Sequence, residues 1–196
     1  MKLLLAAALV LALVAGCDKP NVERVAEIER PQVRWDAQTQ RYLSGDHPLE
    51  LVAQWTFAGA SHGLQAINAD ATPTPEGLRV VATGDDPGLR TAAGLNLRGE
   101  DADLVLVRLT RLAGAASWDG SLYYATDRQG ESADRRAAPQ PPSSPPIGVQ
   151  TLLIYDMRQP SVGRPWRRSA IDQIRLDLDN EAGGAVLIHE IAIARR

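Results

Sequence analysis

The sequence predicts an all-β protein: an antiparallel β-sandwich or jelly roll of about eight strands, preceded by a signal peptide and a flexible tether. Short segments of alternating apolar and polar residues recur from residue 51 to the end of the chain, which is the pattern of half-buried strands. Glycine, proline, aspartate and asparagine separate these segments and favour turns there. No segment has the sustained period of about 3.6 residues that a long amphipathic helix requires.

Residues 1–16 have the composition of a signal peptide. Lys2 gives a positive start, and Leu3–Val14 is an unbroken apolar run of 12 residues. A membrane-spanning helix needs about 20 residues, so this run suits the core of an export signal better than a permanent anchor. The run leads into residues 13–17, Leu-Val-Ala-Gly-Cys, which resemble the lipobox of bacterial lipoproteins.

The lipobox resemblance implies that Cys17 becomes the lipid-carrying first residue of the exported chain. The protein would then be held on a membrane of the cell envelope, facing the periplasm. Asp18 follows the cysteine and resembles an inner-membrane retention signal, so we favour the inner membrane, with the outer membrane as the alternative. Cys17 is also the only cysteine, which rules out a disulfide within the chain.

The composition argues against two classes of function. The formal net charge is −3 and no basic block stands out, so we do not expect a nucleic-acid partner. Lys19 is the only lysine outside the signal peptide and lies in the tether, which excludes covalent catalysis through a lysine.

Residues 17–48 form the predicted tether. Their composition is polar, and only Val22–Ile28 has the pattern of a short helix. Trp35 and Tyr42 are large side chains for a free linker. We therefore expect the second half of the tether to pack on the domain that begins at residue 49.

Four strands are expected in the first half of this domain, residues 49–196. The first alternates apolar and polar side chains along its whole length, the third is the weakest and most polar, and the fourth alternates regularly. These strands are Leu51–Phe57, Leu78–Thr83, Leu89–Leu97 and Leu104–Arg111.

Four more strands complete the expected sandwich. Ser121–Thr126 follows an Asp-Gly turn, Val149–Asp156 is apolar at nearly every position, and Ile174–Leu178 alternates apolar with charged residues. Ala185–Ala194 follows a Gly-Gly turn and closes the chain. Residues 137–148 contain five prolines, which excludes a central strand, so we interpret them as an exposed, partly extended loop between two strands.

Several short sequence segments, taken in their order along the chain, resemble those of the galactose-binding-like β-sandwich domains, the fold of many carbohydrate-binding modules. They are residues 55–57, 77–80, 83–87, 107–108, 118–124, 174–177 and 188–193. In such families the domain is a jelly roll that binds sugars, binds other proteins or stabilises a larger enzyme. The resemblance covers roughly residues 54–195.

Aromatic side chains are the candidates for contact with a sugar, because a sugar ring offers an apolar C–H face and hydroxyl groups. We place Trp118, Tyr124 and Trp166 in the candidate site, with the loop residues Asp85 and Asp86 as hydrogen-bonding groups. The alternative is that the aromatics fill the core, since only 5% of the chain is aromatic.

Acidic residues near the C-terminus are the candidates for a structural calcium ion, as in many jelly rolls that resemble this chain. Asp177, Asp179 and Glu190 are its expected ligands, because calcium takes six to eight oxygen ligands. The alternative is a solvated strand face on which Arg175 balances the charge. We expect no other cofactor.

Residues 59–63, Gly-Ala-Ser-His-Gly, match the G-x-S-x-G pattern around the nucleophile of serine hydrolases. That chemistry needs a helix directly after Ser61, and residues 64–75 are too short and too rich in proline to form one. The three histidines are scattered and lack metal-ligand spacing. We therefore do not expect an enzyme.

The sequence thus predicts a membrane-anchored envelope lipoprotein that binds a glycan without catalysis. The alternative is a protein-interaction or assembly subunit of an envelope complex, with the proline-rich loop as its docking segment. A serine hydrolase that uses Ser61 is the third hypothesis.

Overall fold

The computed structural model describes residues 32–159 and 165–196. In these ranges the chain is mostly strand and turn, with short 3-10 helices at Gly99–Asp101 and Ala133–Arg135 and a helical turn at residues 165–167. None of the helices among the described residues is long and apolar enough to cross a membrane. The signal peptide, Cys17 and the short helix expected at Val22–Ile28 lie outside the described residues.

The strands are two to eleven residues long and are numbered in chain order. They are β1 (Val33–Asp36), β2 (Arg41–Ser44), β3 (His47–Pro48), β4 (Glu50–Thr56), β5 (Gln65–Ile67), β6 (Ala69–Thr74), β7 (Gly77–Ala82), β8 (Gly88–Arg90), β9 (Leu97–Arg98), β10 (Leu104–Ala113), β11 (Leu122–Thr126), β12 (Arg136–Ala137), β13 (Gln150–Asp156), β14 (Ala170–Asp177) and β15 (Ala185–Arg195).

The strands form three antiparallel sheets. The first sheet has the order β13-β10-β15-β7-β6, and β4 also pairs with β15. The second sheet has the order β12-β11-β14-β8-β5, and β9 also pairs with β14. A small N-terminal sheet consists of β1, β2 and β3. The predicted all-β, antiparallel sandwich is confirmed.

The core lies between the first and second sheets. In β10, Val105, Val107 and Leu109 join this core, whereas Leu104 and Leu106 belong to a separate cluster on the opposite face of the strand. This division follows from the period of two in a strand, where successive side chains point to opposite faces. The largest fully buried side chains of the molecule include Trp166, Tyr124, Tyr155 and Phe57.

The N-terminal sheet packs on the outer face of the first sheet. Val33 and Tyr42 are buried there in one cluster with Leu104, Leu106, Ala192 and Ala194. The second half of the expected tether, residues 32–48, is therefore a folded layer, and the compact structure begins well before the expected boundary at residue 49. The packing expected for Trp35 and Tyr42 explains why, since their apolar surface is removed from water.

The eight expected strands all occur, with shifts at their ends. The weak third segment, Leu89–Leu97, divides into β8 and β9 because residues 91–96 leave the sheet. Within the two sheets of the sandwich, the sequence interpretation missed β5, β6 and the two-residue strand β12. Pro73 lies in β6, the edge strand of the first sheet, which is where a sheet tolerates a residue without a backbone N–H.

The proline-rich loop lies against the other edge of the first sheet. The Gln140 backbone pairs with Ile154 of β13 through hydrogen bonds of 2.8 and 3.0 Å. The Arg111 guanidinium donates to the Ser144 hydroxyl, and Gly148 N–H donates to the Arg111 carbonyl. The loop occupies part of an edge that would otherwise offer free backbone groups to another chain.

Candidate functional site

Two of the three aromatic residues expected to touch a sugar lie in the core. Tyr124 and Trp166 are both 0% exposed, and their rings meet edge to face with centroids 5.0 Å apart. The Trp166 indole N–H donates to the Ala102 carbonyl at 2.6 Å. The interpretation of these two residues as ligand contacts is wrong, because neither ring has a free face and the polar atom of the indole is already satisfied.

Trp118 is half-buried and packs against the edge of the core. The Arg111 guanidinium lies 5.2 Å from its ring centroid, and the backbone of Gly120 passes so close that a Cβ there would lie 2.5 Å from the indole nitrogen. Trp118 is thus held between Arg111 and Gly120 at the margin of the core. Its contact with a ligand stays a prediction.

The three carboxylates expected to bind calcium each have their own arginine. Glu190 lies 3.0 Å from Arg108 and Asp177 lies 2.7 Å from Arg175, while Asp179 pairs with Arg111. Within the described ranges, no group of three or more His, Cys, Asp or Glu side chains could hold a metal ion. The structure therefore does not bring these residues together as a calcium site, since their charges are balanced separately.

The expected alternative of a solvated acidic strand face is also wrong for these residues. Asp177, Asp179 and Glu190 are each 2% exposed. Arg175 is the partner of Asp177, as that alternative proposed, but the Asp177 carboxylate is almost completely removed from water and the Arg175 side chain is 18% exposed.

Ser61 lacks the surroundings of a hydrolase nucleophile. Its neighbour His62 has a positive φ of 50°, and the segment that follows is strand β5 and not a helix. His189, the histidine of the closing strand, contacts the Thr110 hydroxyl and the Glu76 carbonyl, each at 2.9 Å. These contacts hold β15 beside β10 and leave Ser61 without this base.

A pocket that the sequence interpretation missed lies between the N-terminal sheet and the outer face of the first sheet. We call it the Trp35 pocket, and its volume is about 210 Å³. It is lined by Trp35, Gln40, Arg41, Tyr42, Pro48, Leu49, Leu51, Gln54 and Glu190. The hairpin β1–β2 provides the aromatic side of the pocket, and β4 and β15 provide the polar side.

The aromatic side of the Trp35 pocket consists of a cross-strand pair. Trp35 of β1 lies directly opposite Tyr42 of β2, with ring centroids 4.8 Å apart and an angle of 59° between the rings. Arg108 of β10 lies 4.4 Å from the Trp35 ring centroid, so a cation supports the indole from the first sheet. The Asp36 carboxylate accepts the Gln38 backbone N–H at 2.9 Å and closes the turn that sets the pair opposite one another.

The polar side of the pocket centres on a buried carboxylate. Glu190 accepts hydrogen bonds from the Gln54 amide at 2.7 Å and from Arg108 at 3.0 Å. The Tyr42 hydroxyl and the Arg108 Nε atom are buried beside it without a well-aligned hydrogen bond among the described residues. Burial, together with the negative charge of Glu190, raises the pKa of Tyr42 well above its usual value, so the hydroxyl keeps its proton and remains a donor.

The polar residues of the pocket could not be recognised as a group in the sequence, because they are far apart along the chain. Gln54 and Glu190 are 136 residues apart in the chain and meet only because β4 pairs with β15. The one usable signal was Trp35 and Tyr42, two aromatics in an otherwise polar segment, which indicated packing but not a pocket.

A second polar arrangement crosses the outer face of the second sheet. We call it the arginine row. It consists of Arg136, Tyr123, Arg175, Arg90 and Gln65, which lie opposite one another on β12, β11, β14, β8 and β5. The expected loop residues Asp85 and Asp86 are exposed beside it, and Asp86 lies 3.8 Å from Arg175.

No protein-family model matches the sequence, and no curated protein matches it. Solved structures do match the fold. The xylan-binding module CBM15 superposes with a TM-score of 0.51 at 13% identity, over 74% of this chain and 97% of that one. The fold is that of a carbohydrate-binding-module β-sandwich. At this identity the likeness concerns the fold alone.

Two further carbohydrate-binding-module structures match less well. A family 29 module from Piromyces equi gives a TM-score of 0.49 at 9% identity, over 74% of this chain and 91% of that one. The low-affinity xylan-binding module CBM86 from Roseburia intestinalis gives 0.46 at 10% identity, over 74% and 95%. The part of the expected resemblance that concerns a carbohydrate-binding-module-like sandwich is confirmed as a fold by the superposition on CBM15.

Proposed function

We propose that this protein is a non-catalytic glycan-binding lipoprotein of the bacterial cell envelope, anchored through lipid on Cys17. The observation that carries the proposal is the Trp35 pocket, where an aromatic wall faces a buried carboxylate and an amide. Likeness to a carbohydrate-binding-module fold supports it.

The composition of the pocket suits a sugar. An indole offers an apolar face to the C–H groups of a sugar ring, and a few fixed polar groups select its hydroxyls. Trp35 supplies the first of these, and Glu190 and Gln54 supply the second. Because Arg108 and Gln54 already hold the Glu190 carboxylate in place, a hydroxyl would find an acceptor that needs no rearrangement.

The size of the pocket limits what it can enclose. A volume of about 210 Å³ is below the range of about 300–1,000 Å³ that is usual for drug-sized ligands. We infer that it holds one sugar unit of a longer glycan. If Cys17 carries the anchor, residues 18–31 can span at most about 50 Å, so the glycan would lie close to the membrane surface.

The test is a glycan array probed with the exported chain from Asp18 onward, as wild type and as Trp35→Ala. We expect wild type to bind at least one class of polysaccharide and Trp35→Ala to bind it about tenfold more weakly, the loss of one aromatic contact. Arg34→Ala is the matched control, since Arg34 is exposed on the same strand. Equal binding by Trp35→Ala and wild type would remove the pocket from the proposal.

A protein-interaction subunit is the second candidate, and exposed apolar residues at the proline-rich loop favour it. Ile147 and Val149 are 62% and 52% exposed, and Leu112 is 40% exposed next to Arg111, which pairs with Ile147. Contiguous exposed apolar groups of this kind mark interaction surfaces. A photocrosslinker at Ile147 should then capture one envelope protein, whereas a photocrosslinker at the exposed Arg79 of β7 should not.

A further inference from the structure

We propose that the proline-rich loop, residues 137–148, of one copy of this protein binds in the Trp35 pocket of a second copy. Both surfaces belong to this chain, and the chemistry of each complements the other. The proposal uses the same pocket as the proposed function but does not require a glycan to bind there. A glycan and the loop of a neighbouring copy would compete for the pocket.

The loop presents an uncharged surface of prolines. Pro141, Pro142 and Pro146 are exposed, and Ile147 beside them is 62% exposed. Residues 137–155 carry no charged side chain, in a chain that is 23% charged. Recognition of this surface therefore depends on apolar contacts and on backbone groups, and not on a charged partner.

The loop is fixed in place at two points. The Gln140 backbone pairs with Ile154 of β13, and the Ser144 hydroxyl accepts a hydrogen bond from the Arg111 guanidinium. The two exposed prolines at residues 141–142 lie between these points, and the ring of each proline restricts its own backbone. Little conformational freedom is therefore lost when the loop binds.

The Trp35 pocket has a lining that suits prolines. Proline-rich segments dock in grooves that are lined with aromatic side chains, and here Trp35 and Tyr42 supply such a wall. Leu49 and Leu51 add aliphatic surface to the lining. The volume of about 210 Å³ is below that of sites for drug-sized ligands, so we assign the pocket to residues 141–142 and not to the whole loop.

The hydrogen-bonding groups of the two surfaces are also complementary. The Tyr42 hydroxyl and the Arg108 Nε atom are buried donors without a well-aligned acceptor among the described residues, and Tyr42 lines the pocket. A proline-rich segment offers backbone carbonyls as acceptors, because each proline lacks the N–H group and an extended polyproline segment makes no internal hydrogen bonds. A loop carbonyl would therefore give the Tyr42 hydroxyl the acceptor that the described residues do not supply.

Within one molecule the loop is held away from the pocket. The loop is attached along β13, the pocket lies beside β4 and β15, and β10 separates β13 from β15. The contact therefore joins two molecules through different surfaces, and each pair keeps one free loop and one free pocket. Contacts of this kind close into rings or extend into filaments, so we expect association to continue beyond two copies.

The experiment uses purified full-length protein in detergent and a fluorescently labelled peptide with the sequence of residues 138–147, whose anisotropy measures binding. We expect saturable binding to wild type and binding about tenfold weaker to Trp35→Ala, the loss of one aromatic contact. Arg34→Ala, at an exposed position on the same strand, should bind the peptide as wild type does. A peptide with Pro141→Ala and Pro142→Ala tests the loop side without any change to the folded protein, and it should also bind about tenfold more weakly.

A photocrosslinker at Pro142 of the full-length protein provides the second measurement. We expect it to join two copies of this chain and to attach within the Trp35 pocket. The product should disappear when Trp35→Ala is introduced or when the peptide is added in excess.

The outcomes separate this contact from the proposed function. Equal binding of the peptide and its alanine version overturns the contact between copies, as does a crosslink in the intact envelope that reaches only a different protein. Glycan binding that depends on Trp35, without peptide binding, leaves the glycan site standing alone. Peptide binding without any glycan binding keeps the contact between copies and removes the glycan.

Discussion

The carboxylate of Asp177 has an unusual environment for an acidic side chain. It is 2% exposed, and burial is the largest cause that raises its pKa to about 6 from 3.8, although Arg175 beside it opposes the shift. Folding therefore favours the protonated form of this group. The stabilising contribution is complete below about pH 4 and is lost as the pH rises through about 6.

Asp177→Asn should remove this pH dependence. The two pKa values correspond to about 3 kcal/mol of unfolding free energy between pH 4 and neutral pH. We expect the variant to lose less unfolding free energy than wild type over that range, as measured by urea denaturation at several pH values. Asp70→Asn, at an exposed site on an edge strand, should follow wild type. A variant whose pH profile coincides with that of wild type would show that Arg175 compensates for the burial fully.

Trp166 provides a second test at the scale of a single residue. Trp166→Ala removes a large core side chain and should lower the unfolding free energy by about 3–5 kcal/mol. Trp166→Phe keeps much of the ring but leaves the Ala102 carbonyl without its donor, at a cost of about 1–3 kcal/mol. Chemical denaturation measures both. If Trp166→Phe were as stable as wild type and bound glycan less well, Trp166 would be a ligand contact after all.

Single residues were the least predictable part of this molecule. Trp166 and Trp35 are both tryptophans in polar surroundings along the chain, and the sequence placed Trp166 in the candidate site although its side chain is buried in the core. The difference between them is which layer covers each ring. Trp166 enters the core from a turn after β13, whereas Trp35 sits on a hairpin at the outer face of a sheet.

At the scale of elements, alternation of apolar and polar residues identified the long strands well. The pattern is explicit in β10 and β15, which have ten and eleven residues. It fails for β1, β2 and β3, because segments of two to four residues contain too few positions to establish a period. The N-terminal sheet was therefore taken for part of a tether.

The N-terminal sheet allows a prediction about where the folded unit begins. A chain that starts at residue 49 would expose Leu104, Leu106, Ala192 and Ala194, which the N-terminal sheet covers. We expect it to melt at a clearly lower temperature than a chain that starts at residue 32, and to self-associate in size-exclusion chromatography. The chain from residue 32 is the control. Equal melting temperatures would mean that the sheet adds no stability to the sandwich.

At the scale of the whole molecule, the fold class followed from the sequence and the candidate site did not. Many short strands separated by turns leave few architectures other than a sandwich or barrel. The pocket and the arginine row depend instead on which strands become neighbours, as with Gln54 of β4 and Glu190 of β15. That information is not contained in any local pattern.

The position of β15 has a consequence for biosynthesis. This strand follows all the other described strands in the sequence, yet it lies inside the first sheet, between β10 on one side and β7 and β4 on the other. A chain that emerges N-terminus first, from a ribosome or from a translocation channel, therefore cannot complete this sheet until residues 185–195 are free. Until then, β4, β7 and β10 have no partner strand for the backbone N–H and C=O groups that β15 pairs with. The eleven-residue strand β15 therefore sets the timing of assembly, because the first sheet stays incomplete until the fourteen described strands that precede β15 have all emerged.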